Sequence, residues 1–409
     1  MTGLRILTTA VLAACTSALC APGTGSAQPP AEPGCPVLWV LGVQGTGESS
    51  PAASETADTG MLGAILGPVV AAVPNLVQRT YIPYSAAFGG AVGTGGGTAP
   101  YTASVGEGLA ALTATADRVA SDCPATALAV VGFSQGAQVV SEFARAVGAS
   151  EGPLPPERVA GVALYSDPDR APGSPVIPGR PGQLTPDPAP GTSGAAVSGV
   201  AITTAPAAGG GIATSSGVDY GALTGRVADV CVEGDLSCAA PERAALLRMA
   251  AQLAAQADLR DPLAALGSIQ ALLSGALGDA WTTVVNNDFR IGPGIVDYAP
   301  AASLAERLTD ASDPRTPPPG PDETAAASAR WGQITAIVAS DPVGQLPKLA
   351  GQLSSAWGQL MADNADLTNP GVWLRYADIN GRHTGYAATG HLASGIAWLT
   401  ALAYDLAGS

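Results

Sequence analysis

An apolar run at residues 127–131 ends in Gly132-Phe133-Ser134-Gln135-Gly136 and passes at once into a helix-forming stretch. Strand, tight turn and helix in that order are the context a Gly-x-Ser-x-Gly elbow requires. The turn holds its serine in a strained backbone conformation, and small residues two positions to either side let strand and helix approach. The Ser134 hydroxyl then stands above the end of a sheet, with the positive end of the next helix aimed at it. An ordinary strand-to-helix turn is the plain alternative, and the rest of the chain weighs against it.

Residues 37–43 are near-continuously apolar, the pattern of a strand buried on both faces. They run into Gln44-Gly45-Thr46-Gly47-Glu48, a polar loop at the strand end where open α/β sheets keep their sites. Helices are expected at residues 60–73, 104–120 and 135–147, and strands at 79–84, 159–165 and, at an edge, 226–232. A flexible glycine-rich loop is expected at residues 89–97. Such alternation predicts an α/β class with a doubly wound, mainly parallel central sheet. Residues 170–225, dominated by Pro, Gly, Ala, Ser and Thr, read as a long surface excursion within a core of residues 28–238. Residues 239–380 change to helical periodicity, with Leu246, Met249 and Leu253 on one face and Leu346, Leu349, Leu353, Trp357 and Leu360 on another. Asp261-Pro262 and Asp341-Pro342 each mark a junction between helices, which suggests a duplicated helical hairpin around a proline-rich linker at 310–321. Residues 381–409 return to the core with a polar loop around His383 and a last helix at 393–407.

The net charge of −15, with Lys348 the one lysine, leaves no footprint for nucleic acid and would be repelled by anionic membranes. Arg5, the apolar residues 6–19 and Gly25-Ser26-Ala27 form an export signal over residues 1–27, so a secreted protein is expected. Leu12-Ala13-Ala14-Cys15 resembles a lipobox, whose use would anchor the chain through Cys15 instead. Cleavage after Ala27 removes Cys15 and Cys20 together and leaves four cysteines, an even number suited to disulfides. Beyond the signal, no stretch reaches the roughly 18 apolar residues of a membrane span.

A serine hydroxyl needs an imidazole to take its proton, and the imidazole needs a carboxylate to fix its tautomer. The chain has two histidines, His383 and His391, both after Ser134. His383, in the polar loop, is the candidate base; His391, near the first turn of the last helix, reads as a capping or partly buried residue. Asp235, bracketed by Cys231 and Cys238, is the candidate acid, with Asp229 or Asp167 as alternatives. The Gln135 N–H follows the nucleophile at a helix N-terminus, and Thr46 could add a second donor to an oxyanion. Glu48 and the lack of a following lysine argue against a phosphate loop. Two histidines and paired cysteines leave no convincing metal set, and no cofactor is expected.

Together these pieces resemble the cutinase family of secreted α/β-hydrolase serine esterases. The matching residues are Gly45-Thr46-Gly47-Glu48, Cys123-Pro124 with Gly132-Phe133-Ser134-Gln135-Gly136-Ala137, Cys231-x-x-Gly234-Asp235-x-x-Cys238 and His383-x-x-Tyr386. The resemblance implies Ser134 as nucleophile, Asp235 as acid, His383 as base, Thr46 and Gln135 as oxyanion donors, and disulfides Cys35–Cys123 and Cys231–Cys238. Val43-Gln44 stands where the family usually has Ala-Arg, which implies another bracing of the oxyanion loop. The helical block between acid and base departs further from the family and implies a lid or an extended acyl-binding wall. The expected function is therefore hydrolysis of carboxylic esters, of lipid or long-acyl type, by a monomer that meets a lipid surface or cell envelope. Acyl transfer by the same residues, or a non-catalytic lipid- or wall-binding role, are the alternatives.

Overall fold

The computed structural model describes residues 34–95, 97–214 and 219–409. The expected export signal, with Cys15 and Cys20, lies outside them. Five parallel strands form the central sheet in the order β2-β1-β3-β4-β5. They are β1 (Leu38–Val43), β2 (Val77–Tyr81), β3 (Ala127–Phe133), β4 (Val159–Tyr165) and β5 (Val227–Val230), connected through α1 (Gly60–Ala72), α2 (Tyr101–Asp122) and α3 (Gln135–Gly148).

Period-two alternation divides each strand between two cores. Leu38 and Val40 of β1, with Ala129 and Val131 of β3, pack on α1 and on the C-terminal helix. Leu41 and Val43, with Leu128 and Val130, pack on α2 and α3. Each such fully buried Val or Leu contributes about 1.5–3 kcal/mol relative to exposure. The second strand begins at Val77 and α2 at Tyr101, earlier than periodicity suggested, because flanking residues that look like loop complete the ladder and the first turn.

Residues 170–225 are more than a surface excursion. Ile177, Ala189, Val197 and Ile202 are fully or almost fully buried in the sheet's first core. The Asp405 carboxylate of the last helix accepts the N–H groups of Ala196 and Val197 at 2.7 and 3.0 Å. Single apolar anchors spaced among Pro and Gly have no period, so sequence patterning passes over them.

After β5 come α4 (Ala245–Gln256), α5 (Pro262–Asn287), β6 (Phe289–Gly292), β7 (Ile295–Tyr298), α6 (Leu304–Ser312), α7 (Pro321–Ser340), α8 (Pro342–Ala362), α9 (Pro370–Arg375), α10 (Ile379–Thr384) and α11 (Ala393–Ala407). Asp261 caps α5 by accepting from Leu263 and Ala264 N–H, and Asp341 caps α8 by accepting from Gly344 N–H. A side-chain cap of this kind contributes about 1 kcal/mol. Val285, Phe289, Val296 and Ile334 belong to a hydrophobic core of this segment's own. Two expectations are corrected here. The segment is not wholly helical, since β6 and β7 form an antiparallel hairpin across Pro293-Gly294. And α5, with 26 residues, is long and apolar enough to cross a membrane by length and composition. Its Gly, Ser and Gln residues break any continuous apolar count, and it packs beside α6 and α7.

Candidate active site

Ser134 follows β3 directly and is the N-cap of α3, with φ 54° and ψ −122°, a conformation that costs a non-glycine residue about 1–3 kcal/mol. Its neighbours explain how the strain is held. A Cβ on Gly132 would meet the Gly136 carbonyl and the Ala137 backbone, and one on Gly136 would collide with the Val43 carbonyl oxygen. The elbow is thus wedged against the end of β1, where the 44–48 loop begins.

That loop is braced from three sides. Gln44 Nε2 donates to the Thr59 carbonyl and to Thr59 Oγ1, both at 3.0 Å, and the Tyr84 hydroxyl donates to the Gln44 carbonyl. Glu48 accepts the Gly45 N–H at 3.1 Å and the Met61 N–H, in the first turn of α1, at 3.0 Å. Gln44 thus braces this loop through Thr59, at the position where Val43-Gln44 departs from the Ala-Arg of the resembling pattern. Thr46 N–H and Gln135 N–H have no hydrogen-bond partner among the described residues. The Gln135 side chain is held away from the cavity by Ala87, whose carbonyl accepts Nε2 at 3.0 Å.

Asp235 is fully buried in the short loop closed by the Cys231–Cys238 disulfide; a second disulfide joins Cys35 to Cys123. Asp235 Oδ1 lies 2.9 Å from His383 Nδ1 and accepts the Ser237 N–H at 3.1 Å, while Oδ2 accepts the Tyr386 hydroxyl at 2.8 Å. Burial pushes this carboxyl up, but hydrogen bonding and charge from His383, with the Ser166 and Tyr386 hydroxyls, outweigh it and hold the group below its usual range. Its contribution to stability is present above the unfolded-state pKa of about 3.9 and is lost as pH falls through the lower folded value.

His383 stands in the short helix α10, not in the open loop that its glycines suggested; the Asp378 side chain caps that helix by accepting Gly381 N–H. Its ring lies 5.2 Å from that of Phe133, the residue before Ser134. Ser134 and His383 line one cavity of about 890 Å³, with no hydrogen bond joining them among the described residues. Core residues such as Thr46, Phe88 and Val105 form one wall; Ala251 and Gln252 of α4, Arg315 and Ile379 form the other. Arg315 fastens that second wall to the core, donating to Asp169 Oδ1 at 2.8 Å while Arg145 of α3 donates to Oδ2 at 2.6 Å. The start of the glycine-rich loop expected to be flexible is also engaged: the Leu259 N–H donates to the Gly89 carbonyl at 2.8 Å.

His391 lies elsewhere, its Nδ1 2.7 Å from Thr389 Oγ1 beside a small depression lined by Leu184 and Ile202. The alternative acids also stand apart, and neither is bonded to a histidine among the described residues. Asp229 lies 3.8 Å from the Arg170 guanidinium, and Asp167 accepts the Asp169 N–H at 3.0 Å. Burial, then the charges of Asp229 and Asp169, push Asp167 well above the carboxylate range, and burial pushes Asp229 up to about 6. A carboxyl raised in the folded state contributes stability below its unfolded pKa and loses it as pH rises through the folded value. Asp167→Asn is therefore expected to raise the thermal midpoint by a few degrees at pH 7 and by less at pH 4, measured by calorimetry at both. A lower midpoint at pH 7 would mean that the Asp167 charge is compensated.

Ser166, Tyr386 and Phe133 surround the Asp235–His383 pair without having been assigned roles from sequence. Tyr386 was visible as part of the His383-x-x-Tyr386 spacing and Phe133 as the first variable position of the elbow; nothing local marks Ser166.

The sheet order, the elbow at the C-terminal end of β3 and a carboxylate-bonded histidine beside it define an α/β-hydrolase. Residues 51–249 match the family model described as Cutinase. The carboxylesterase Culp6 homolog of Corynebacterium glutamicum is 29% identical over 236 residues, covering 54% of this chain and 71% of that protein. Among solved structures, the catalytic core domain of acetyl xylan esterase from Trichoderma reesei aligns with a TM-score of 0.36 and 21% identity, over 58% of this chain and 98% of its own. Lysin B from Mycobacteriophage D29 aligns with a TM-score of 0.34 and 17% identity, over 72% and 89%. Residues 51–249 are thus similar to the cutinase family, and the chain is a carboxylic ester hydrolase.

Proposed function

We propose that this chain is a secreted serine esterase that hydrolyses esters of long or bulky acyl groups through Ser134, His383 and Asp235. The observation that carries the reading is the 2.9 Å contact of His383 Nδ1 with the buried Asp235 carboxylate, at the wall of the cavity that Ser134 also lines. Asp235 keeps the proton on Nδ1, so Nε2 offers its lone pair to the serine hydroxyl. Contacts of that second kind commonly tighten only as substrate docks.

Ser134 Oγ attacks the ester carbonyl carbon while His383 Nε2 takes its proton. The tetrahedral oxyanion is met by the Gln135 and Thr46 N–H groups, which have no other partner among the described residues to give up. The intermediate collapses with cleavage of the ester C–O bond, and His383 returns the proton to the departing alcohol. Water, deprotonated by His383, then attacks the acyl-serine and releases the carboxylic acid and free Ser134.

Residues 239–380 act in this reading as a lid or second wall. Phe88, Val105, Ile212 and Ala251 give the cavity an apolar side suited to an acyl chain. Leu263, Leu266, Val343, Trp357 and Leu374 are among the exposed apolar residues of the same segment, which fits contact with a lipid surface or cell envelope. The two disulfides fit an oxidising, extracellular setting. We take the protein to act as a monomer.

The mature protein would be treated with an active-site serine phosphonate and the adduct mapped by mass spectrometry, alongside turnover of short- and long-chain nitrophenyl esters. An adduct on Ser134 with faster long-chain turnover is expected. No adduct on folded protein would favour a binding role, and a short-chain preference would overturn the acyl assignment.

A further inference from the structure

We propose that Ser166 is a positioning residue for the Asp235–His383 pair, holding the imidazole from the side opposite its catalytic nitrogen. The inference rests on the reading of Ser134, His383 and Asp235 given above.

Ser166 follows β4 directly, is fully buried, and has φ 57°. That left-handed conformation suits glycine, and a side chain keeps it only where the surroundings over-determine it. Here they do. The Ser166 N–H donates to the Val230 carbonyl at 3.0 Å, and its own carbonyl accepts the Ser237 hydroxyl at 3.1 Å. The backbone is thereby clamped between the end of β5 and the disulfide-closed loop that carries Asp235.

The clamp aims the hydroxyl at the histidine. Ser166 Oγ lies 3.0 Å from His383 Nδ1, the nitrogen that also stands 2.9 Å from Asp235 Oδ1. Nδ1 carries one proton whenever Nε2 is free to act as base, so two oxygens share that proton. The carboxylate can only accept, whereas a hydroxyl both accepts and donates. Ser166 Oγ therefore serves as second acceptor of Nδ1–H beside the Asp235 carboxylate. The nearby Ser166 hydroxyl also contributes to holding the Asp235 carboxyl below its usual range. Two oxygens on one N–H resist ring rotation better than one, and a ring that turns loses its aim at Ser134.

Glycine would occupy this backbone without strain and without the hydroxyl, so Ser166→Gly separates the two roles. We expect kcat for ester hydrolysis to fall on the order of 10- to 100-fold with KM little changed, as misaimed catalytic groups do. The thermal midpoint should be no lower than in the parent. In a His383→Ala background the same substitution should leave the residual rate unchanged. Proton NMR supplies a second readout, because the chain has two histidines and His391→Ala identifies the other. The downfield Nδ1–H signal of His383 should move and exchange faster in Ser166→Gly. Undiminished kcat, an unmoved Nδ1–H signal, or an equal loss in the His383→Ala background would overturn the proposal. If Ser134→Ala were as active as the parent, the underlying assignment itself would fall, and that outcome is distinct from all of these.

Discussion

Ser134→Ala is expected to lower kcat for ester hydrolysis on the order of a millionfold while the unfolding transition stays where it is. The two halves of this expectation have separate causes. Without Oγ there is no acyl-enzyme, and what remains is whatever rate the oxyanion donors and bound water sustain. Stability is spared because the hydroxyl makes no hydrogen bond among the described residues, and alanine inherits the same strained φ of 54° that serine bears. Gly132 and Gly136, which permit that conformation, are untouched. Steady-state assay and calorimetry on the same preparation check both halves. Residual activity within tenfold of the parent, on a folded protein, would remove Ser134 from the chemistry.

The second large effect distinguishes the histidines. His383→Ala should also cost on the order of a millionfold in kcat, since nucleophile and base act as one unit. His391→Ala should cost little. The contrast follows from position: His383 has its Nδ1 on a buried carboxylate and its ring against Phe133, while His391 bonds Thr389 outside the large cavity. Parallel rate measurements on the two variants decide the matter, and a greater loss at His391 would reverse the base assignment.

Much of the central fold was legible because its constraints are local. Two-sided burial writes β1, β3 and β4 as apolar runs, and the elbow needs small residues at fixed offsets from Ser134. Asp235 stood out because two cysteines bracket it, and His383 because the chain offers few imidazoles. What escaped depends on contacts distant in sequence. Ser166 is unremarkable until β4, the Asp235 loop and α10 converge on it. The anchors Ile177 and Ile202 have no period to betray them. The β6–β7 hairpin is four residues to a strand, too short for alternation to register. The glycines flanking His383 suggest a loop, yet a short helix capped by Asp378 forms there.

The contact between Asp235 and His383 spans 148 positions of sequence, and nearly all of them belong to the segment with its own hydrophobic core. In the proposed mechanism, acid and base are therefore delivered to each other by the two feet of a separately packed body. Such bodies can open below the free energy of global unfolding. The hydrolase sheet could persist intact while the proton relay is already dismantled, so in this architecture catalytic competence is a property of the outlying segment's foldedness as much as of the sheet that carries the serine. Tolerance to sequence drift would follow the same division: the segment's outer surface is free to change, while its two attachment points are bound to the chemistry.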